Sequence, residues 1–412
     1  MSSDSTMLID QPVSDSLAIA EPSSPTSVRG RPRAAFICVG DPEDARTWSG
    51  TPLHMLTHLR AYFDFDVVIA RPWSKWFQPL RRAIALVTLG RINIYWSPSW
   101  AALASSAARQ KIADSKIDYV FCVGISPICS LLTATNRAIL ISDATVGGLI
   151  DYNPKFTALS ASFRKLATDV ETNAVSQSHA AFYPSSWARD AAMQFHHADG
   201  RKAHYVHWGA NLIADGAHAQ TGATPIEWRL LFVGVNWEGK GGDVAVAAVR
   251  LLVKMGVRVH LDVVGSQPDD PRFDDPNVTF HGFLNKNNPT ERVKLVELFS
   301  TSHLLLFPTQ FEALGIVSAE AASFGVPTIA FRTGGVAANV VDGETGILLE
   351  PGSSPRAWAD VVFDLMNDSA RYHEMSQTAL TWSHNTVNWS TWAATVADVL
   401  FAEASPIADK HL

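Results

Sequence analysis

The stretch HLLLFPTQFEALGIVSAEAASFGVPTIAFR, residues 303–332, holds a complete strand–loop–helix–strand unit. An apolar strand (303–308) runs into the loop TQFEA, a helix opens at Gly315, and a second apolar strand follows (326–332). Neither strand alternates polar with apolar residues, which marks strands buried on both faces of a parallel sheet. Two acids, Glu312 and Glu320, stand in the loop and helix with only small or apolar residues between them. Carboxylates in such company cost free energy unless something compensates them. The free N–H groups and dipole of a helix start favour an anion there. A carboxylate accepts hydroxyl hydrogen bonds, so the pair suits a hydroxyl-rich ligand lying over the helix start. The plain alternative is a good helix former at Glu320 and a dipole-satisfying charge at Glu312.

Outward from this unit the same alternation repeats. RLLFVGV (229–235), VRVHLDVVG (257–265) and NVTFHGF (277–283) read as further strands, with helical segments at 242–256 and 290–301. Upstream, AAFICVG (34–40), DVVIARP (66–72), IDYVFCVG (117–124) and RAILISD (137–143) form a second series. Two such series imply an α/β protein of two Rossmann-like domains. The expected bounds are 33–212 and 220–385, with the connection near Gly209–Pro225 as hinge. Open α/β sheets bind ligands beyond the carboxyl ends of their strands. Two of them facing each other share one central cleft.

Composition narrows the class. A hydrophobic content of 47% with 18% charged residues is that of a globular protein, and a net charge of −7 gives no footprint for nucleic acid. The three cysteines (Cys38, Cys122 and Cys129) lie in or beside apolar runs, which suggests reduced thiols and a cytoplasmic setting. No apolar run reaches the ~18–20 residues of a membrane span. Residues 1–32 are rich in Ser, Pro and Asp without the basic start of a secretory signal, and read as a disordered tail.

With these residues in view, PTQFEALGIVSAEAASFGVPTIAFRTGGVAANVVDGETGILLEPG (308–352) resembles the signature of glycosyltransferase family 4. The resemblance extends over most of 230–352, with the two spaced acids, Gly325-Val326-Pro327, Gly334-Gly335 and Gly346 in order. It implies a GT-B fold and a retaining enzyme that uses a nucleotide-sugar donor, UDP- or GDP-linked, with no tightly bound cofactor and no metal. It further implies that Glu312 contacts the donor sugar and Glu320 the ribose. Amides near Gly315, Ile316 and Val317 would approach the sugar and diphosphate. The donor side implied by the resemblance also includes Gly265, Phe283, Leu284 and Thr309.

LFVGVNWEGKGGDV (231–244) fits the same picture, since Lys240 places a point charge on a diphosphate and Gly241 lets backbone come close. Many family members carry an Arg where this chain has Val235, and Pro-Glu where it has Ala337-Ala338. Lys240 alone, or Arg332, would then have to serve the phosphate. The acids of QPDDPRFDDP (267–276), Asp275 among them, read as a solvated loop and not as metal ligands.

In the first series, Ser49-Gly50-Thr51-Pro52 reads as a close-approach glycine, an N-cap and a helix-starting proline. The resemblance makes Gly50 and Thr51 candidates for the acceptor and phosphate loop. Ser142-Asp143 stands where many relatives have a histidine–acid pair that meets the sugar, which makes Asp143 a catalytic candidate beside Glu312. His54 and His58 lie four apart on a helix but lack the glutamate of a zinc protease motif. Residues 71–112 hold seven basic residues and no acid, interleaved with aromatics. That pattern suits a peripheral membrane contact or an anionic or lipid-linked acceptor. Core aromatics under a solvated basic face are the favoured reading.

The expected activity is transfer of a hexose to an acceptor hydroxyl in glycan, polysaccharide or glycolipid synthesis. The final helix, about 386–412, is expected to pack back on the first domain. A glycoside hydrolase with paired carboxylates and a non-catalytic sugar-nucleotide-binding protein remain open alternatives.

Overall fold

A computed structural model of the protein describes residues 30–132, 137–213 and 227–402. The tail read at the amino terminus therefore lies almost wholly outside the described residues, as do most of the connection before residue 227 and the last ten residues.

The first sheet contains β1 (Arg33–Cys38), β2 (Asp64–Ala70), β3 (Tyr119–Val123), β4 (Arg137–Ile141), β5 (Ala180–Tyr183) and β6 (Ala203–Tyr205). They lie in the order β2-β1-β3-β4-β5-β6, all parallel. The second contains β7 (Trp228–Gly234), β8 (Val259–Gly265), β9 (Val278–Phe280), β10 (Leu304–Phe307), β11 (Thr328–Phe331) and β12 (Gly346–Leu349). Its order is β12-β11-β10-β7-β8-β9, again all parallel.

The uninterrupted apolar strands are those with helices on both faces. Every residue of β3, β5, β10 and β11 is buried. Each sheet accordingly has two apolar layers. Those of the first are built around Ile37 and Leu140 on one face and Phe36 and Phe121 on the other. Those of the second are built around Phe232 and Leu306, and around Leu231 and Leu305. β5 and β12, each four residues long, were not among the strands expected from the sequence.

The helix Ile316–Ser323 is buried at every position except the first. An all-round buried helix has no polar face, so its sequence carries small and apolar residues on all sides. The helix Ser369–Asn385 packs on it within the second domain. After Val387 the chain crosses to the first domain, where the helix Trp389–Ala402 packs Trp392, Val396 and Leu400 against Phe36, Met55 and Phe121. Trp389 locks the crossing: its Nε1 donates to Ala210 O and to Asn211 Oδ1, both at 3.1 Å.

Candidate active site

The carboxyl ends of β7, β8 and β10 open on one cavity of about 340 Å³ between the two domains. Val233 to Val235, Gly265 and Phe307 form the strand-end wall, and Phe283 and Leu284 form one side. Gly315, Ile316 and Val317 bring the helix start to it, and Glu312, Glu320, Lys240 and Lys286 supply its charges from the second domain. Ala45, Arg46 and Ser49 close it from the first domain. The domains also touch at the rim, where Ala45 N–H donates to Asn287 Oδ1 at 2.9 Å and Asn287 Nδ2 donates to Asp44 Oδ1 at 2.7 Å.

Both acids are compensated by lysine. Lys240 Nζ donates to Glu312 Oε2, and Lys286 Nζ to Glu320 Oε1. Glu320 is almost fully enclosed, with its side chain 3% exposed. Burial pushes its carboxyl up, and Lys286 opposes that shift.

The loop that carries Glu312 is held from both domains. Its backbone N–H donates to Tyr152 Oη at 2.7 Å, and Tyr152 Oη donates back to its carbonyl at 3.1 Å. Thr333 Oγ1 stands 2.9 Å from the same phenol. Beside it, Gly334 adopts φ +51, and a Cβ there would meet the Glu312 carbonyl oxygen at 1.8 Å. Gly241 is the second obligatory glycine, at φ +72, where a Cβ would meet Pro308 O at 2.2 Å. It sits behind the cavity wall and sets the turn that aims Lys240. Thr309 is buried too and donates from Oγ1 to Gly239 O at 3.4 Å and to Phe311 O at 3.3 Å, so it braces this loop from behind.

Asp143 ends β4 on the opposite domain. Trp48 Nε1 donates to its Oδ2 at 3.2 Å. Burial, and secondly the nearby charge of Glu312, push the Asp143 carboxyl up to about 6. Two carboxylates from different domains are thus near enough to interact, although Asp143 does not itself line the cavity. Trp48 reaches Asp143 because it and Ser49 both adopt left-handed backbone, at φ +48 and +59. Strain of this kind persists where the surrounding structure holds it, often at functional sites.

Not every candidate from the first series lines the cavity. Gly50 and Thr51 do not line the cavity; Ser49 does. Thr51 is buried and its Oγ1 accepts from Asn211 Nδ2 at 2.9 Å, which ties the helix start to the domain connection. Ala338 faces the first domain's core with Leu314 and so serves domain packing. Val235 stands exposed at the cavity rim and supplies no cation. Arg332 does not replace it, since Arg332 is paired with Asp342 and Glu350. Asp275 is held by Arg250 at 2.9 Å. His54 hydrogen-bonds Asn211 O at 3.2 Å and stacks on Trp389.

Lys286, Tyr152, Trp48 and Arg46 were not singled out by the sequence reading. Lys286 had one available signal, its place in the loop just beyond β9 at the carboxyl edge of the sheet. Tyr152 meets Glu312 and Thr333 across the domains, and Trp48 meets Asp143 from 95 residues away, separations that leave no local signal.

Residues 227–368 match the family model described as glycosyl transferases group 1. That segment lies within the second domain and is similar to the group 1 glycosyltransferases. D-inositol 3-phosphate glycosyltransferase of Corynebacterium glutamicum (strain R) is 33% identical over 189 residues, or 44% of either chain. The chain spans just under half the length of the first curated relatives it matches. Sucrose-phosphate synthase from Thermosynechococcus elongatus superposes with a TM-score of 0.65 at 18% identity, over 91% of this chain and 100% of that one. Anabaena HepE, in complex with UDP, gives 0.63 at 14% identity, over 90% and 100%. These likenesses show the fold, which is GT-B. In this domain the helix start, both acids and both lysines converge on the interdomain cavity.

Proposed function

We propose that the chain is a retaining glycosyltransferase that moves a hexose from a nucleotide diphosphate sugar, UDP- or GDP-linked, to an acceptor hydroxyl. The observation that carries this reading is the pairing of two carboxylates with two lysines around one helix start. A nucleotide sugar presents hydroxyls on both sides of a diphosphate, and this arrangement offers acceptors on both sides of cations.

Glu320 takes the ribose hydroxyls and Glu312 those of the hexose. As the hydroxyls satisfy the carboxylates, Lys240 and Lys286 turn to the diphosphate beside the amides of Ile316 and Val317. The leaving diphosphate gains charge as the glycosidic bond breaks, so fixed cations and amides lower the barrier most at that point. Lys286 then supplies the second cation that Val235 does not. Asp143 receives a hexose hydroxyl from the other domain. The acceptor proton passes to a donor phosphate oxygen, which accords with retention and requires no side-chain base. Holding both substrates in one closed cleft contributes the proximity term.

Calorimetry against UDP-, GDP- and ADP-sugars, followed by NMR assignment of the product anomer, tests the reading. One nucleotide sugar should bind and yield a product of unchanged anomeric configuration. Sugar release from a nucleotide-free glycoside, indifferent to added nucleotide, would sink it.

A further inference from the structure

A second and larger cavity, about 970 Å³, lies wholly on the first domain. It is bounded by Val39 just beyond β1, the helix Phe77–Val87, the turn Ile94–Trp96 and the helix start at Lys155–Phe156. Five cations line it: Arg71, Lys75, Arg81, Arg82 and Lys155. No acid does, and none of the five forms an ion pair with a described residue. The walls between them are aromatic, from Trp73, Tyr95, Trp96 and Phe156.

Ordinary protein surfaces intersperse charges of both signs, and a solvated basic face does not converge on a concavity. Low-dielectric walls around like charges focus the field and raise the local concentration of counter-ions. Such a cavity favours a compact, multiply charged anion, and its arginines suit phosphate oxygens in particular.

The cavity also adjoins the candidate active site. Tyr95 Oη donates to Gly124 O at 3.2 Å. Gly124 is packed between Val39, which lines the cavity, and Trp48, which holds Asp143. On the other side Lys155 and Phe156 follow Tyr152, whose hydroxyl holds the Glu312 loop.

We propose that this cavity binds the phosphate or diphosphate group of the acceptor, so that the acceptor is a phosphorylated molecule anchored there with its reacting hydroxyl directed to the interdomain cleft. The word acceptor rests on the transferase reading; the anion site does not. The phosphate has two possible sources, a soluble sugar or polyol phosphate and a lipid-linked one. The outer face of the helix exposes Leu86 and Val87, 78% and 82% exposed, with Leu89 beyond at 83%. That apolar edge makes the lipid source worth a separate arm.

The test is calorimetry with inorganic pyrophosphate on the full chain carrying Arg46→Ser, Lys240→Ser and Lys286→Ser, which removes the cations lining the interdomain cavity. Pyrophosphate should still bind, and adding Arg81→Ser with Arg82→Ser, or Lys155→Ser alone, should weaken it at least about tenfold. Arg91→Ser, in the same basic region but outside the cavity lining, should not. Equal affinity in all these variants, with unchanged melting, would overturn the site. Sedimentation with phosphatidylcholine vesicles, with and without phosphatidic acid, separates the sources. Retention on phosphatidic acid that is lost with Arg81→Ser and Arg82→Ser supports the lipid-linked source; pyrophosphate binding without retention supports the soluble one. Pyrophosphate binding needs no turnover, so an absent transferase activity with intact binding would discard only the transferase reading.

Discussion

Lys286, on the loop after β9, reaches Glu320 inside a buried helix and forms an ion pair in the floor of the interdomain cavity. Neither partner is stable there alone. A carboxylate with its side chain 3% exposed needs a cation or a set of hydroxyls, and the lysine holds the place that hydroxyls are proposed to take.

Removing the lysine should therefore cost more than removing the acid's charge. Lys286→Met leaves a buried carboxylate uncompensated and is expected to lower stability by about 3 kcal/mol. The pair of changes Lys286→Met and Glu320→Gln should recover most of that loss. Chemical denaturation of the three variants at pH 7 checks it, and a double variant no more stable than Lys286→Met would show that the pair is not coupled.

The two acids should separate kinetically. Glu320→Ala is expected to weaken nucleotide affinity sharply. Glu312→Ala should lower kcat by about a hundredfold or more while nucleotide affinity changes little. Calorimetry and steady-state kinetics on both variants decide it. Loss of neither binding nor turnover would refute the assignment.

Asp143 makes a pH-dependent prediction. Its folded carboxyl titrates at about 6, above the usual 3.8, so the folded chain holds this proton more tightly than the unfolded chain does. The favourable contribution is present at low pH and is lost as pH rises from about 4 through 6. Asp143→Asn removes the penalty on the charged form. Its stability relative to wild type should rise across that window and level off above it, at roughly 2–3 kcal/mol. Denaturant midpoints between pH 4.5 and 7.5 measure this, on a scale of about two pK units. A difference independent of pH would show that Asp143 is not the titrating group.

Gly334 sets the position of the Glu312 loop through backbone alone. Gly334→Ala would place a Cβ 1.8 Å from the Glu312 carbonyl and also hold alanine at φ +51. Displacement of the loop should reduce turnover at least about tenfold and cost about 1–3 kcal/mol. Turnover equal to wild type would mean that the loop position does not govern catalysis.

Strands were readable where burial is symmetrical. Buried parallel strands such as β3 and β10 leave unbroken apolar runs, and the recurring strand–helix spacing points to two sheets. The buried helix Ile316–Ser323 left its mark as apolar residues with no polar face. Interdomain contacts leave no such pattern. Thr51 has the sequence context of a phosphate-loop residue, yet its hydroxyl is taken by Asn211 across a separation of 160 residues.

The sequence by itself determined the fold class, the alternation of two β/α series and the presence of two acids too enclosed to be ordinary surface charge. These follow from periodicity and composition, which are local. The tertiary structure decided that Lys286 compensates Glu320, that Tyr152 holds Glu312 and that Asp143 lies near enough to feel the charge of Glu312. It also decided that the basic residues beyond β2 converge on a cavity. Each of these depends on which side chains two separately folded sheets bring within a few ångströms, and no local pattern encodes that distance.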